Sequence, residues 1–370
     1  MSSDSAPRAG AILEIDLGAV VANWRLLAQK AAPAACAAVV KANAYGLGAP
    51  SVARALQAGG CRLFFVATLD EAIALRGALG PEQEIAVFNG VLPGTAAEFS
   101  AHRLVPVLND PGQIEIWKSF TASPAILHVD TGMSRLGLTA REFAALAADL
   151  PNSGIAWRAV ISHLACADTP DHPLSAKQRS RFAAAAKRLP GVPAGLAASS
   201  GIFLGPLYHF DLVRPGAALY GVNPQPGRSN PMRQVVRLSG KILQVREIDT
   251  GESVGYGAAH VMEKAGRTAT VAVGYADGWL RSLSHRGCGF IGGKRVPLLG
   301  RVSMDLVTFD VSAVDPALTH PGAMIELLGE HYGVDDVAIA AGTIGYEILT
   351  ALGSRYHRVY RGSAGTNHRE

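Results

Sequence analysis

The stretch Ala34-Ala35-Cys36-Ala37-Ala38-Val39-Val40-Lys41-Ala42-Asn43-Ala44-Tyr45-Gly46-Leu47-Gly48 decides how most of this 370-residue chain is read. An apolar run from Ala34 to Val40 stops on a lysine, and a short loop with a tyrosine and two glycines follows. A brief apolar run of this kind reads as a strand covered on both faces. A lysine where such a strand ends is placed to be desolvated. Burial disfavours its charged form, so the amine becomes a nucleophile towards aldehydes. The ordinary alternative is a lysine snorkelling out of a strand end, and the rest of the chain has to decide between them.

Working outward, the same pattern recurs. Further apolar runs lie at Arg62–Ala67, Glu84–Phe88, Leu104–Leu108, Ala125–Asp130, Trp157–Ser162, Ala194–Ser199 and Phe210–Val213. Helix signals separate them. Asp16 can cap Leu17–Ala31, Thr68 with Glu71 forms a capping box before Leu69–Leu79, and Asp110 precedes Pro111–Phe120 with proline in the first helical position. Thr139 precedes Ala140–Leu150, and Leu174–Leu189 is rich in Ala, Arg and Lys. Eight strands alternating with helices predict a parallel (β/α)8 barrel over residues 1–231, with the short seventh and eighth strands the weakest signals. After the Pro/Gly/Asn-rich link Pro224–Pro231 the period changes. Gln234–Ile248, Arg267–Gly274, Cys288–Leu299, Val302–Val311 and Ala323–Leu328 alternate as antiparallel strands do, and helix returns at Val334–Leu352. A mostly β domain is expected over residues 232–370. The fold class is therefore α/β plus β, a TIM barrel followed by a C-terminal β domain.

Composition narrows the function. The chain is 49% hydrophobic and 17% charged with a formal net charge of +4, and its Lys and Arg residues are scattered rather than clustered, which argues against a nucleic-acid face. No run approaches the length of a membrane span. The four cysteines, Cys36, Cys61, Cys166 and Cys288, show neither CxxC nor zinc-type spacing, so no metal site is expected and a reduced, cytoplasmic protein fits. Met1–Gly10 lacks the apolar core of a secretory signal.

In a (β/α)8 barrel the chemistry sits at the C-terminal ends of the strands. Lys41 follows strand one, Arg135 lies just beyond strand five, His163 ends strand six, Ser199 and Ser200 end strand seven, and Arg214 ends strand eight. The loops after strands seven and eight, where barrels often hold phosphate, offer two hydroxyls and the backbone around Gly216. Any one of these residues could be ordinary surface. Together on one rim they are hard to assign to chance.

These residues, with DTGMSRLG at 130–137, ISHLA at 161–165, VRPGAALYG at 213–221, SVGYGA at 253–258, GYADG at 274–278, GRVSMD at 300–305 and TIGYEI at 343–348, resemble the alanine racemases, fold-type III pyridoxal-phosphate enzymes, over nearly the whole chain. The resemblance implies that Lys41 carries pyridoxal 5'-phosphate as a Schiff base, and that Tyr45, Ser199, Gly216, Ala217 and Tyr346 hold its phosphate. Arg214 would face the pyridine nitrogen. Arg only donates hydrogen bonds, so that nitrogen must accept and stays unprotonated. The resemblance further implies two bases on opposite faces of the substrate's Cα, Lys41 for D-alanine and Tyr256 for L-alanine. Positive neighbours would lower the tyrosine's pKa, with His163, backed by Arg214 and counted among the cofactor-binding residues, as the candidate relay. Tyr256 and Met304 would reach the site of the other subunit of a homodimer. Arg135, Met304, Tyr275 and Tyr346 would bind or confine the substrate, and Arg281, Arg301 and Asp168 would line the approach. Asp277 and Asp305 are read as structural.

One position departs from the pattern. Many relatives have a lysine, often carbamylated, two residues before the Asp of DTGM, whereas this chain has His128. Arg135 must then be held in another way, a bound anion being one, and no carbamylated lysine is expected here. Other readings are a broad-specificity or serine racemase, a basic amino-acid decarboxylase of the same fold type, and a non-enzymatic pyridoxal-phosphate carrier. The SVGYGA tyrosine and the VRPG arginine argue against the decarboxylase, and the β domain argues against the carrier.

Overall fold

The computed structural model describes residues 8–120 and 124–362, which divide into two compact units. One spans Val20–Leu219 and Asn223–Met232; the other joins Met1–Ala19 to Tyr220–Val222 and Arg233–Glu370.

The first unit is the expected barrel. Strands Ala38–Val39, Leu63–Val66, Glu84–Val87, Val105–Leu108, Ala125–His128, Trp157–Ile161 and Ala194–Gly195 lie side by side in chain order, every pair parallel. Leu212–Val213 closes the ring. It pairs in parallel with Ala35–Cys36. Ala37 N–H donates to Val213 O at 3.0 Å, and on the other side Arg214 N–H donates to Ala197 O at 2.9 Å. The strands read as unbroken apolar runs because helices cover their outer faces: Phe64, Phe65, Ile85, Val87, Val107 and Leu127 are fully enclosed. The anticipated capping box is present at Thr68/Glu71, a second lies at Thr139/Glu142, and Asp110 accepts the Gln113 N–H at 2.9 Å. Helices Ala49–Ala58 and Ala96–Ala101 complete the alternation.

The second unit corrects the expected boundary. Ala11–Asp16, read from the sequence as part of the barrel, is a strand of the β unit. It runs antiparallel to Val236–Ile248 on one side and parallel to His357–Arg361 on the other. Its alternating burial, with Ala11, Leu13 and Ile15 inside, suits a sheet with one covered face. The full order is Gly266–Val271, Val307–Asp310, Lys294–Leu299, Cys288–Ile291, Met324–Leu328, Val236–Ile248, Ala11–Asp16 and His357–Arg361. The far half of Val236–Ile248 returns to pair with Gly266–Val271. The run 288–299 is a hairpin, turned by Gly292 and Gly293 at φ 57° and 77°. The stretch 302–311 is strand only at Val307–Asp310, and residues 300–305 form a loop. The helical run 334–352 breaks at Gly342, which caps Val334–Ala341 in the left-handed conformation before Gly345–Ala351 begins.

Candidate active site

The barrel places Lys41, His163, Ser199 and Arg214 just past the C-terminal ends of its strands and Arg135 on the loop after the fifth, as the sequence predicts, and His128 is the last residue of that fifth strand. Lys41 starts a single tight turn. Ala42, Asn43, Ala44 and Tyr45 all have positive φ, from 51° to 54°, a left-handed path that costs L-residues about 1–2 kcal/mol each. The turn is closed by Gly46 N–H to Ala42 O at 2.8 Å and Gly48 N–H to Asn43 O at 2.9 Å, and Asn43 Oδ1 accepts the Ala49 N–H at 2.8 Å. It leaves Lys41 Nζ 5.9 Å from the centre of the Phe88 ring. Burial, with the positive Arg135 nearby, lowers the Lys41 amine below its ordinary range, and Glu71 opposes the shift in part.

Arg214 is the most enclosed charge in the barrel, at 3% exposure. Nη1 donates to Gly195 O at 2.9 Å and Nη2 to Ser162 O at 2.6 Å. Burial brings it down to about 10, so it remains a cation at neutral pH. Its charge acts on two histidines. His163 is pushed down to about 3 by burial first and then by Arg214, Arg135, His128 and Lys41. His128 is pushed down to about 4 by burial, Arg214 and Arg135 against the opposing Asp130. Both rings are therefore neutral at physiological pH. The positive charge around His163 is that of Arg214 first, with Arg135 and Lys41.

His128 Nδ1 lies 2.7 Å from Asn109 Oδ1. The Asn109 amide nitrogen donates to Phe88 O and Val107 O, both at 2.9 Å, which leaves Oδ1 as the acceptor and puts the proton on Nδ1. The loop carrying Arg135 is organised by Asp130. Burial alone would raise its carboxyl, but the N–H groups of Gly132, Met133 and Ser134, at 2.9, 2.9 and 3.0 Å, hold it low. Arg135 itself is exposed.

A second cluster forms at the ends of strands seven and eight. Ser199 Oγ accepts the N–H groups of Gly216 at 3.0 Å and Ala218 at 3.2 Å. A Cβ at Gly216 would sit 2.4 Å from the Tyr45 hydroxyl oxygen, so only glycine lets the tyrosine approach. Gly216 N–H, expected to face a phosphate, is thus engaged by Ser199 here. Two hydroxyls, a bare backbone and a buried guanidinium on one rim suit a phosphorylated pyridine, with donors for the anion and a donor for the ring.

The chain matches the family model "Alanine racemase, N-terminal domain" over residues 15–224 and "Alanine racemase, C-terminal domain" over 235–360. It belongs to the alanine racemase family. It is 55% identical over 362 residues to an alanine racemase of Rhodospirillum rubrum, covering 96% of this chain and 97% of that one. It is 50% identical over 360 residues to a catabolic alanine racemase of Mesorhizobium japonicum, covering 96% and 94%. Among solved structures, alanine racemase of Bartonella henselae with covalently bound pyridoxal phosphate matches with a TM-score of 0.92 at 41% identity, over 95% of this chain and all of that one. The biosynthetic alanine racemase of Pseudomonas aeruginosa matches with a TM-score of 0.90 at 35% identity, over 96% of this chain and 100% of that one.

Of the remaining residues singled out by the racemase resemblance, Asp168 lies on the barrel unit, and Tyr256, Tyr275, Arg281, Arg301, Met304 and Tyr346 lie on the β unit. Tyr256 opens the 3-10 turn between the paired strands Ser253–Val254 and His260–Val261, with 72% of its surface exposed. The Arg301 guanidinium lies beside that turn, 3.3 Å from where a Cβ on Gly257 would be. Tyr275 and Met304 sit on two loops bonded to each other. Tyr275 N–H donates to Ser303 O and Ala276 N–H to Met304 O, both at 3.0 Å, and a Cβ on Gly274 would lie 2.3 Å from Met304 O. Arg355 clamps both loops. It binds Asp277 through Nε at 2.6 Å and Nη2 at 2.8 Å, and Asp305 through Nη1 at 2.7 Å. Asp277 and Asp305 are thus structural, as read from the sequence, while Arg355 was not foreseen. Its only sequence signal is a cation among residues too far apart in the chain to suggest contact. Tyr346, on Gly345–Ala351, is also part-exposed.

Proposed function

We propose that this chain is a pyridoxal-phosphate-dependent alanine racemase, interconverting L- and D-alanine with two bases and working in the cytoplasm as a homodimer with shared sites. The observation that carries the reading is the single barrel rim on which a depressed lysine, a buried arginine and a hydroxyl-and-glycine phosphate cradle meet. Lys41 would hold the cofactor through Nζ. Tyr45, Ser199, Tyr346 and the backbone at Gly216 and Ala217 would bind its phosphate. The chemistry the cofactor would supply is delocalisation of the electron pair left when a Cα proton is removed.

Arg214 would face the pyridine nitrogen of the bound cofactor, and a guanidinium fixed by two carbonyls has only N–H groups to offer, so that nitrogen would have to accept. The ring would then be a weaker electron sink, which would favour return of the proton to Cα. Lys41 takes or returns the proton on the face of D-alanine, and the partner subunit's Tyr256 does so on the face of L-alanine. A tyrosine with an ordinary pKa near 10 needs positive surroundings to act as a base, and Arg214 supplies that charge with His163 as a neutral ring. Arg135 and Met304 orient the substrate carboxylate, and Tyr275 and Tyr346 restrict the side chain to a small one. The high exposure of Tyr256 and Met304 supports their use by a second copy, since apolar side chains left open on one chain suit an interface. No helix among the described residues is long and apolar enough to cross a membrane, and all four cysteines are free, in keeping with the proposed compartment.

The test is Cα proton exchange in deuterated water. Tyr256→Phe should slow exchange from L-alanine by at least about a hundredfold, within the range general-base loss produces, with a much smaller effect on D-alanine. Equal, mild losses on the two enantiomers would contradict the two-base assignment.

A further inference from the structure

The turn after Lys41 holds four consecutive L-residues in the left-handed region, and something outside the turn must hold it there. The hydrogen bonds point to Glu71. Its Oε1 accepts the Ala42 N–H at 2.7 Å, the first amide beyond the lysine. Its Oε2 accepts the Ala67 N–H at 2.8 Å and the Thr68 N–H at 3.3 Å, where the second barrel strand gives way to its helix. One carboxylate therefore ties the lysine's turn to the end of the neighbouring strand. Its own backbone is fixed in turn, since Glu71 N–H donates to Thr68 Oγ1 at 3.3 Å in the capping box. Charge-assisted bonds to backbone N–H groups are among the stronger in proteins, and the helix start is an anchor that a strained loop lacks.

We propose that Glu71 is a positioning residue, and that the bridge from its carboxylate to the Ala42 N–H fixes the left-handed turn and with it the aim of the Lys41 amine. The capping-box signature visible in the sequence describes only half of what this side chain does. The proposal rests on the reading of Lys41 as the reactive lysine, but its first readout does not. Charged neighbours of the amine are Arg135 and Glu71, with the neutral His163 also close enough to interact. Losing Glu71 therefore removes both a tether and the amine's one negative neighbour among them.

The experiment is amide hydrogen exchange on the full-length protein as isolated, comparing Glu71→Gln, Glu71→Asp and Thr68→Ala. Gln keeps the reach but has one acceptor oxygen. Asp keeps the charge but is one carbon short. Thr68→Ala breaks the capping box and leaves the Ala42 bridge. Both Glu71 variants are expected to raise exchange over residues 42–48 roughly tenfold or more and to lower kcat for alanine with KM little changed. Thr68→Ala is expected to loosen only the start of Leu69–Leu79. Protection of 42–48 that survives Glu71→Gln and Glu71→Asp, or that falls as far in Thr68→Ala, would overturn the proposal. Borohydride reduction and peptide mapping test the Lys41 reading separately: label on another lysine with the exchange pattern as expected would sink that reading and leave Glu71 as the anchor of the turn.

Discussion

At the scale of single residues, the site is governed by how one buried cation conditions its neighbours. Arg214 keeps its proton, and His163 and His128 give theirs up. This has a measurable consequence for stability. His163 is neutral in the folded chain down to about pH 3, whereas a histidine in an unfolded chain takes a proton near pH 6.5. The depressed folded value means that its contribution to stability is complete above about pH 6.5 and is lost as pH falls towards 3. Part of the ring still touches solvent, so the loss between pH 7 and pH 4 is on the order of 2 kcal/mol. Urea unfolding of His163→Asn at several pH values should show a flatter acid limb than the parent. An identical slope would mean that the histidine is charged in the folded protein. The departure at His128 was legible in the sequence, but its hydrogen-bond partner was not. The partner is Asn109, nineteen residues earlier and just past the end of the neighbouring strand, and the pairing of those two strands brings the residues together.

At the scale of elements, strands covered on both faces were readable because covered strands are apolar throughout, and helix starts were readable because caps are local. What escaped the sequence depends on contacts between distant segments. Glu71 was visible as a cap and invisible as the partner of Ala42. The same holds for the β unit, where one guanidinium fixes the loops of Tyr275 and Met304. Asp277 is nearly enclosed and Arg355 is half-exposed, with side-chain exposures of 6% and 50%. Arg355→Leu leaves a buried carboxylate without its cation, so the expected loss is roughly 2 kcal/mol after allowance for solvent at the arginine. Steady-state kinetics should show a higher KM for alanine with a smaller change in kcat if, as proposed, these loops confine the substrate and do not carry its proton. An unchanged KM would detach the clamp from the site. Gly278 marks the same junction: at φ 90°, a Cβ there would lie 1.8 Å from Ala351 O.

At the scale of the whole molecule, the barrel is an insertion into a β unit that begins before it and finishes after it. The sequence predicts two consecutive domains because the pattern changes only after Pro224–Pro231, and nothing local marks Ala11–Asp16 as belonging with the later strands. Only its pairing reveals the difference. His357–Arg361 has Ala11–Asp16 as its sole sheet neighbour among the described residues. A fragment of residues 232–370 is therefore expected to leave that strand open, and to bind a synthetic peptide of residues 8–19 that protects 357–361 from hydrogen exchange. Failure of the peptide to bind would show that the pairing is not needed.

The same pairing sets a clock for synthesis. Ile12 and its partner His357 lie 345 residues apart, so synthesis separates the two in time. At about 5–20 residues per second, the first strand waits for roughly half a minute, with Leu13 and Ile15 uncovered, while the whole barrel emerges and can close. The newborn strand gains its antiparallel neighbour Val236–Ile248 first, and its other edge stays open until His357–Arg361 is made.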